Sequence, residues 1–106
     1  MTLKFKTSNA TDFKSEIIKL IESGDLLTWK ILTHNNEKYL KHVKQWGDKG
    51  VISLTTDSKN EYLISNIVLY KDSKENIEDF EGYYLGRFCE LIFVNFPKKF
   101  TSIENK

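Results

Sequence analysis

Apolar positions follow two periods along this chain, and the changes of period mark its elements. Phe13, Ile17, Leu20 and Ile21 recur at helical spacing, with Lys14, Glu16, Lys19 and Glu22 turned the other way. This predicts an amphipathic helix from about Asp12 to Ser23, started by Thr11 or Asp12 and ended by Gly24, a residue suited to the left-handed position after a helix. The period then shortens to two. Leu27, Trp29, Ile31 and Thr33 alternate with polar Thr28 and Lys30, which predicts a strand over Leu26 to His34. Asn35-Asn36 tolerates positive φ and suits a reversal. Residues 37–46 fit two patterns: Tyr39, Leu40, Val43 and Trp46 suit a helix capped by Gly47, while the preceding strand and turn favour a returning strand over Lys38–Val43. The hairpin is the preferred reading.

The turn Gly47-Asp48-Lys49-Gly50 leads into a third strand, Val51 to Thr56, and Asp57-Ser58-Lys59-Asn60 marks another turn. From Glu61 to Tyr70 apolar residues fill both sides, with Tyr62, Ile64 and Val68 on one and Leu63, Ile67 and Leu69 on the other. Such near-continuous apolarity predicts a central strand covered on both faces. Residues 71–81 read as a polar, acidic loop with a helical turn around Ile77 and Phe80. The run 83–96 is the most apolar in the chain, with only Arg87, Glu90 and Asn95 strongly polar. Helical spacing stacks Leu85, Phe88, Ile92 and Phe96 on one stripe and sets Arg87 and Glu90 three apart on one face, and Pro97 ends the helix. Phe100 to Ile103 allows a short last strand. The expected fold class is α+β: an N-terminal helix, a four-stranded antiparallel meander, a C-terminal helix and that short strand, with the helices on one face of the sheet. Parallel α/β is disfavoured, since short turns join the strands and leave no room for crossover helices.

A chain of 106 residues with 40% hydrophobic and 13% aromatic residues suits one domain, 1–106, with one core. No apolar run is long enough for a membrane span, and Met1-Thr-Leu-Lys-Phe-Lys lacks the apolar stretch of a secretory signal. Cys89 is the only cysteine, so no disulfide within the chain is expected and a reducing cytoplasm is the expected compartment. The net charge of +1 argues against a dedicated nucleic-acid binder, but the charges are segregated. Lys30, Lys38, Lys41, Lys44 and Lys49 oppose Glu37 and Asp48, whereas Asp72, Glu75, Glu78, Asp79 and Glu81 oppose Lys74. Each run is either a solvated face or a docking surface.

Motifs for catalysis are sparse. His34 and His42 fall in no metal-binding spacing, Cys89 sits in an apolar setting that raises a thiol pKa, and no serine elbow or phosphate-cradling glycine loop occurs. No metal or cofactor is expected. Arg87 and Glu90 form either a buried structural pair, the preferred reading, or the acid and electrostatic stabiliser of a small enzyme. Trp46 with Lys30, Lys38, Lys41 and Lys44 could stack bases and neutralise phosphates.

Two stretches, Trp29-Lys-Ile-Leu-Thr-His-Asn-Asn-Glu-Lys-Tyr-Leu-Lys-His-Val-Lys-Gln-Trp46 and the run from Tyr83 through Arg87, Glu90 and Phe96 to Pro97, resemble in size, order and texture the small bacterial immunity proteins of contact-dependent growth inhibition and other polymorphic toxin systems. The resemblance implies a cytoplasmic protein without catalysis of its own, which binds one toxin or effector domain and blocks it. Many immunity proteins are acidic, and this near-neutral chain departs from that, so a nuclease partner would require the acidic segment for docking. The leading expectation is therefore an inhibitor that occludes the active site of a cognate toxin or effector through Asp72, Glu75, Glu78, Asp79 and Glu81. The alternative is a nucleic-acid-binding module built on residues 30–49, and an enzyme using Arg87 and Glu90 comes third.

Overall fold

The computed structural model describes residues 2–44, 46–70 and 77–105, with only the backbone described at 77–79. In chain order the elements are β1 (Thr2–Lys6), α1 (Ala10–Glu22), β2 (Trp29–His34), β3 (Glu37–His42), β4 (Gly50–Asp57), β5 (Tyr62–Leu69), α2 (Ile77–Asn95) and β6 (Ser102–Asn105). The strands form one antiparallel sheet in the order β2-β3-β4-β5-β1-β6. The class is α+β, and the expected four-stranded meander is β2–β5. Two strands widen it. β6 forms at Ser102–Asn105, slightly beyond the expected place, and β1 is an addition that the helix and meander pattern did not include.

Register explains why one face is covered. Trp29 pairs with His42, Ile31 with Leu40, Leu40 with Ile52, Leu63 with Phe5, and Phe5 with Ile103. Since side chains alternate across a sheet, these residues share a face. Both helices bury their apolar stripes against it: Phe13, Ile17 and Ile21 of α1, and Phe80, Tyr84, Leu85, Phe88, Leu91 and Ile92 of α2, join Leu3, Phe5, Leu40, Ile52 and Leu63 in one core. Phe5 lies at its centre and meets Phe13, Phe88 and Phe100 edge-on, with centroids 6.4, 5.8 and 5.7 Å away.

Local chemistry sets the ends. α1 starts two residues earlier than the pattern suggested, because Asn9 is its cap: the Asn9 side-chain oxygen accepts the Asp12 N–H at 3.0 Å. Gly24 follows it with φ of 84°. Asn35 and Asn36 adopt φ of 50° and 66°, so the β2–β3 reversal takes two residues and 37–42 is a strand. A two-residue loop also puts His34 on the open face and His42 on the helix-covered face. α2 starts at Ile77, so the expected turn around Ile77 and Phe80 is part of one continuous helix that runs on through the predicted stripe to Asn95. The prediction for Glu61–Tyr70 is corrected: β5 is central, but the helices cover one face only, and Val68 on the other is exposed.

Candidate binding cleft

Where β2 and β3 reach α2, the structure opens a cleft of about 440 Å³ lined by Leu26, Thr28, Trp29, His42, Lys44, Arg87, Glu90, Leu91, Val94 and Asn95. Its geometry starts from a gap in the sheet. Leu40 pairs with Ile52, and two residues further along His42 comes opposite Gly50. A direct ladder bond there is replaced by a side chain. The His42 N–H donates to Tyr84 Oη at 3.1 Å, and the Tyr84 hydroxyl donates to the Gly50 carbonyl at 3.0 Å. The hydroxyl thus bridges β3 and β4 and anchors α2 to both. Burial pushes its pKa up to about 12, which keeps it a donor at all ordinary pH values.

The chain then turns sharply after β3. Gly47 packs so closely on the His42 carbonyl that a Cβ would collide with that oxygen. Trp46 carries a φ of 57°, a left-handed conformation that costs a bulky residue about 1–3 kcal/mol and persists only where surroundings hold it. Here Tyr83 holds it, with the two rings nearly parallel at 9° and 5.9 Å between centroids. These constraints set the imidazole of His42 edge-on to the Trp29 indole at 5.1 Å. Its Nδ1 accepts the Lys44 N–H at 3.3 Å. His42 is only 6% exposed. Burial first, then the positive charges of Arg87 and Lys44, hold its pKa below the ordinary value.

Arg87 and Glu90 form the predicted bond, Nη1 to Oε1 at 2.8 Å, but the expectation that the pair is buried is corrected. Their side chains are 46% and 64% exposed, because the apolar stripe of α2 faces the core and this pair lies beside the cleft opening. The basic residues of 30–49 do not form one surface. Lys30 and Lys41 are cross-strand partners on the open sheet face, Lys38 bonds Glu22 on α1 at 2.8 Å, Lys44 lines the cleft, and Trp46 is half-buried against Tyr83 and Tyr84. Of the acidic segment, Asp72 and Glu75 lie outside the described residues, as do the side chains of Glu78 and Asp79, while Glu81 sits half-buried on α2. Cys89 is half-buried, and burial pushes its thiol pKa up. Among the described residues no group of three His, Cys, Asp or Glu side chains is placed to hold a metal ion, and no helix is long and apolar enough to cross a membrane.

The sequence reading did not single out Tyr84 or the burial of His42. A tyrosine in an apolar helix carries no mark of its hydroxyl partner, and the face of His42 depends on the loop length.

The rim of the cleft is apolar and exposed. Leu27, between the lining residues Leu26 and Thr28, is 87% exposed, and Val94 on α2 is 76% exposed. Val43 is exposed too, and its N–H bonds the Thr28 carbonyl at 2.9 Å. The arrangement offers an indole, three aliphatic side chains, two cations and one carboxylate around a shallow cavity: a set suited to binding. No family model matches the chain, and no characterised protein or solved structure matches it either.

Proposed function

We propose that this chain is a protein-binding inhibitor that neutralises a cognate toxin or effector by seating the cleft and its rim on that protein. The observation behind this reading is the grouping of Leu27, Val43 and Val94, all exposed, around a preformed cleft. Apolar side chains at such exposure leave area that folding does not cover, and burying it against a partner is favourable and excludes water from nearby charged contacts. The acidic residues Asp72, Glu75, Glu78, Asp79 and Glu81 would then steer a basic partner toward the cleft.

The test is co-expression with the polypeptide encoded by the adjacent open reading frame. A toxin partner arrests growth alone and not with this chain. The double variant Leu27→Ser, Val94→Ser should keep its melting temperature and lose protection. Reversing Glu75, Glu78, Asp79 and Glu81 to lysine should slow association at low salt and matter less as salt rises. Full protection by the Leu27, Val94 variant would exclude the cleft.

A second reading has its own support on the open sheet face. Lys30 and Lys41 stand directly opposite each other, a like-charge pair that an anion would relieve. Lys4 and Lys6 on the same face reach over the Tyr62 ring at 5.4 and 4.8 Å. A nucleic-acid module using this face would bind many single-stranded sequences with steep salt dependence. A titration against single-stranded DNA and RNA decides it, with Lys30→Glu, Lys41→Glu as the variant.

A further inference from the structure

The cleft is unequal in charge. Lys44 enters from the sheet side and Arg87 from α2, so two cations line the cavity from opposite walls. Against these two cations stands one carboxylate. Glu90 takes a bond from Nη1 of Arg87 at 2.8 Å, one of five N–H donors on the guanidinium. The rest of the lining is neutral: apolar Leu26, Trp29, Leu91 and Val94, with Thr28, His42 and Asn95 as its polar members. A cationic side chain entering here would meet two like charges for one opposite charge. A neutral apolar group would use the aliphatic walls and gain nothing from the two cations.

We propose that the cleft accepts, from the partner protein, an apolar side chain seated on Leu26 and Val94 together with an adjacent Asp or Glu carboxylate held between Arg87 and Lys44. This rests on the protein-binding reading above and specifies its chemistry. Arg87 supplies a planar fork that can hold a second carboxylate while keeping Glu90, and Glu90 fixes the guanidinium in position for it. The apolar neighbour removes water from the pair and so strengthens it. Lysine and arginine side chains at the same place on a wrong partner are rejected by like charge, so the cleft discriminates as well as attracts.

The experiment uses two capped peptides, acetyl-Phe-Asp-amide and acetyl-Phe-Asn-amide, titrated into the whole chain and followed by two-dimensional amide NMR spectra. The Asp peptide should shift the Trp29 indole N–H and the His42 and Val94 amides, and should bind about tenfold more tightly than the Asn peptide, the range of one charge-assisted contact. Added salt should remove that difference. The variant Arg87→Gln, Lys44→Gln should bind both peptides equally, at the level at which the wild type binds the Asn peptide. Equal affinity of the wild type for both peptides, stronger binding of acetyl-Phe-Lys-amide, shifts centred elsewhere, or no shift at millimolar peptide would each overturn the proposal. Growth protection without carboxylate preference overturns this inference alone. Carboxylate preference without protection overturns the toxin-neutralising reading alone.

Discussion

Tyr84 stands between β3 and β4 where a peptide–peptide bond would otherwise join His42 to Gly50, and its hydroxyl both accepts from one and donates to the other. Tyr84→Phe keeps the ring in the core and strands a buried N–H and a buried carbonyl, so stability should fall by about 1–3 kcal/mol, read from urea denaturation. Hydrogen exchange should quicken at the His42 amide before it does elsewhere in the sheet. His42 itself makes stability depend on pH. Its folded pKa lies below the unfolded value of about 6.5, so in the interval between the two the unfolded chain binds more protons. This contribution is complete above the unfolded pKa and is lost as pH falls through the folded one. The urea midpoint should therefore drop between pH 7 and pH 5, and His42→Gln should flatten that part of the slope; an unchanged slope would assign it to other groups. Arg87 and Glu90 behave differently from a buried pair. With both side chains largely exposed, Glu90→Ala should cost no more than about 0.5 kcal/mol, within the range of surface pairs, instead of the several kcal/mol lost when a buried pair is broken.

At the level of elements, the turn from β3 to β4 is the most constrained connection. Gly47→Ala places a methyl group against the His42 carbonyl, and Gly50→Ala places one against the Val68 carbonyl. Backbone atoms yield less than side chains, so each substitution should lower stability by about 1–3 kcal/mol in thermal or urea unfolding. Much of the element order was legible because it rests on period and turn chemistry. The stripe Phe13, Ile17, Ile21 read as α1, Asn35-Asn36 as a tight reversal, and Leu85, Phe88, Ile92 as the core side of α2. β1 escaped notice although Thr2–Lys6 alternates cleanly, with Leu3 and Phe5 buried and Lys4 and Lys6 outward. Its lysines resemble a charged tail, and a strand this short acquires meaning only when β5 and β6 flank it. The cleft was illegible for a related reason. Its lining comes from 26–29, 42–44 and 87–95, and the register of β2 on β3 together with the Tyr84 anchor brings these together. Nothing in the sequence announces the left-handed Trp46, because its conformation answers to Tyr83, 37 positions away.

The whole molecule divides into a half closed locally and a half closed across its full length. Strands β2 to β5 follow one another in sequence and in space, so their contacts close short loops. β1 lies between β5 and β6, and Leu3 pairs with Asn105. Loop-closure entropy favours the short loops first. Folding should therefore begin in the meander with Leu40 and Ile52, and the β1–β6 ladder should form after the rate-limiting step. In stopped-flow kinetics Leu40→Ala should slow folding, whereas Ile103→Ala should mainly speed unfolding. The reverse pattern would place the nucleus at the β1–β6 side. On the ribosome the consequence is a matter of timing. β1 is synthesised before both its neighbours, one of which appears only with the end of the meander and the other after α2, so Phe5 waits through the synthesis of the elements between for the strands that shelter it. A stalled or shortened chain would leave the β1 edge open to pairing with other molecules, and aggregation of nascent fragments should rise sharply when synthesis stops before residue 102.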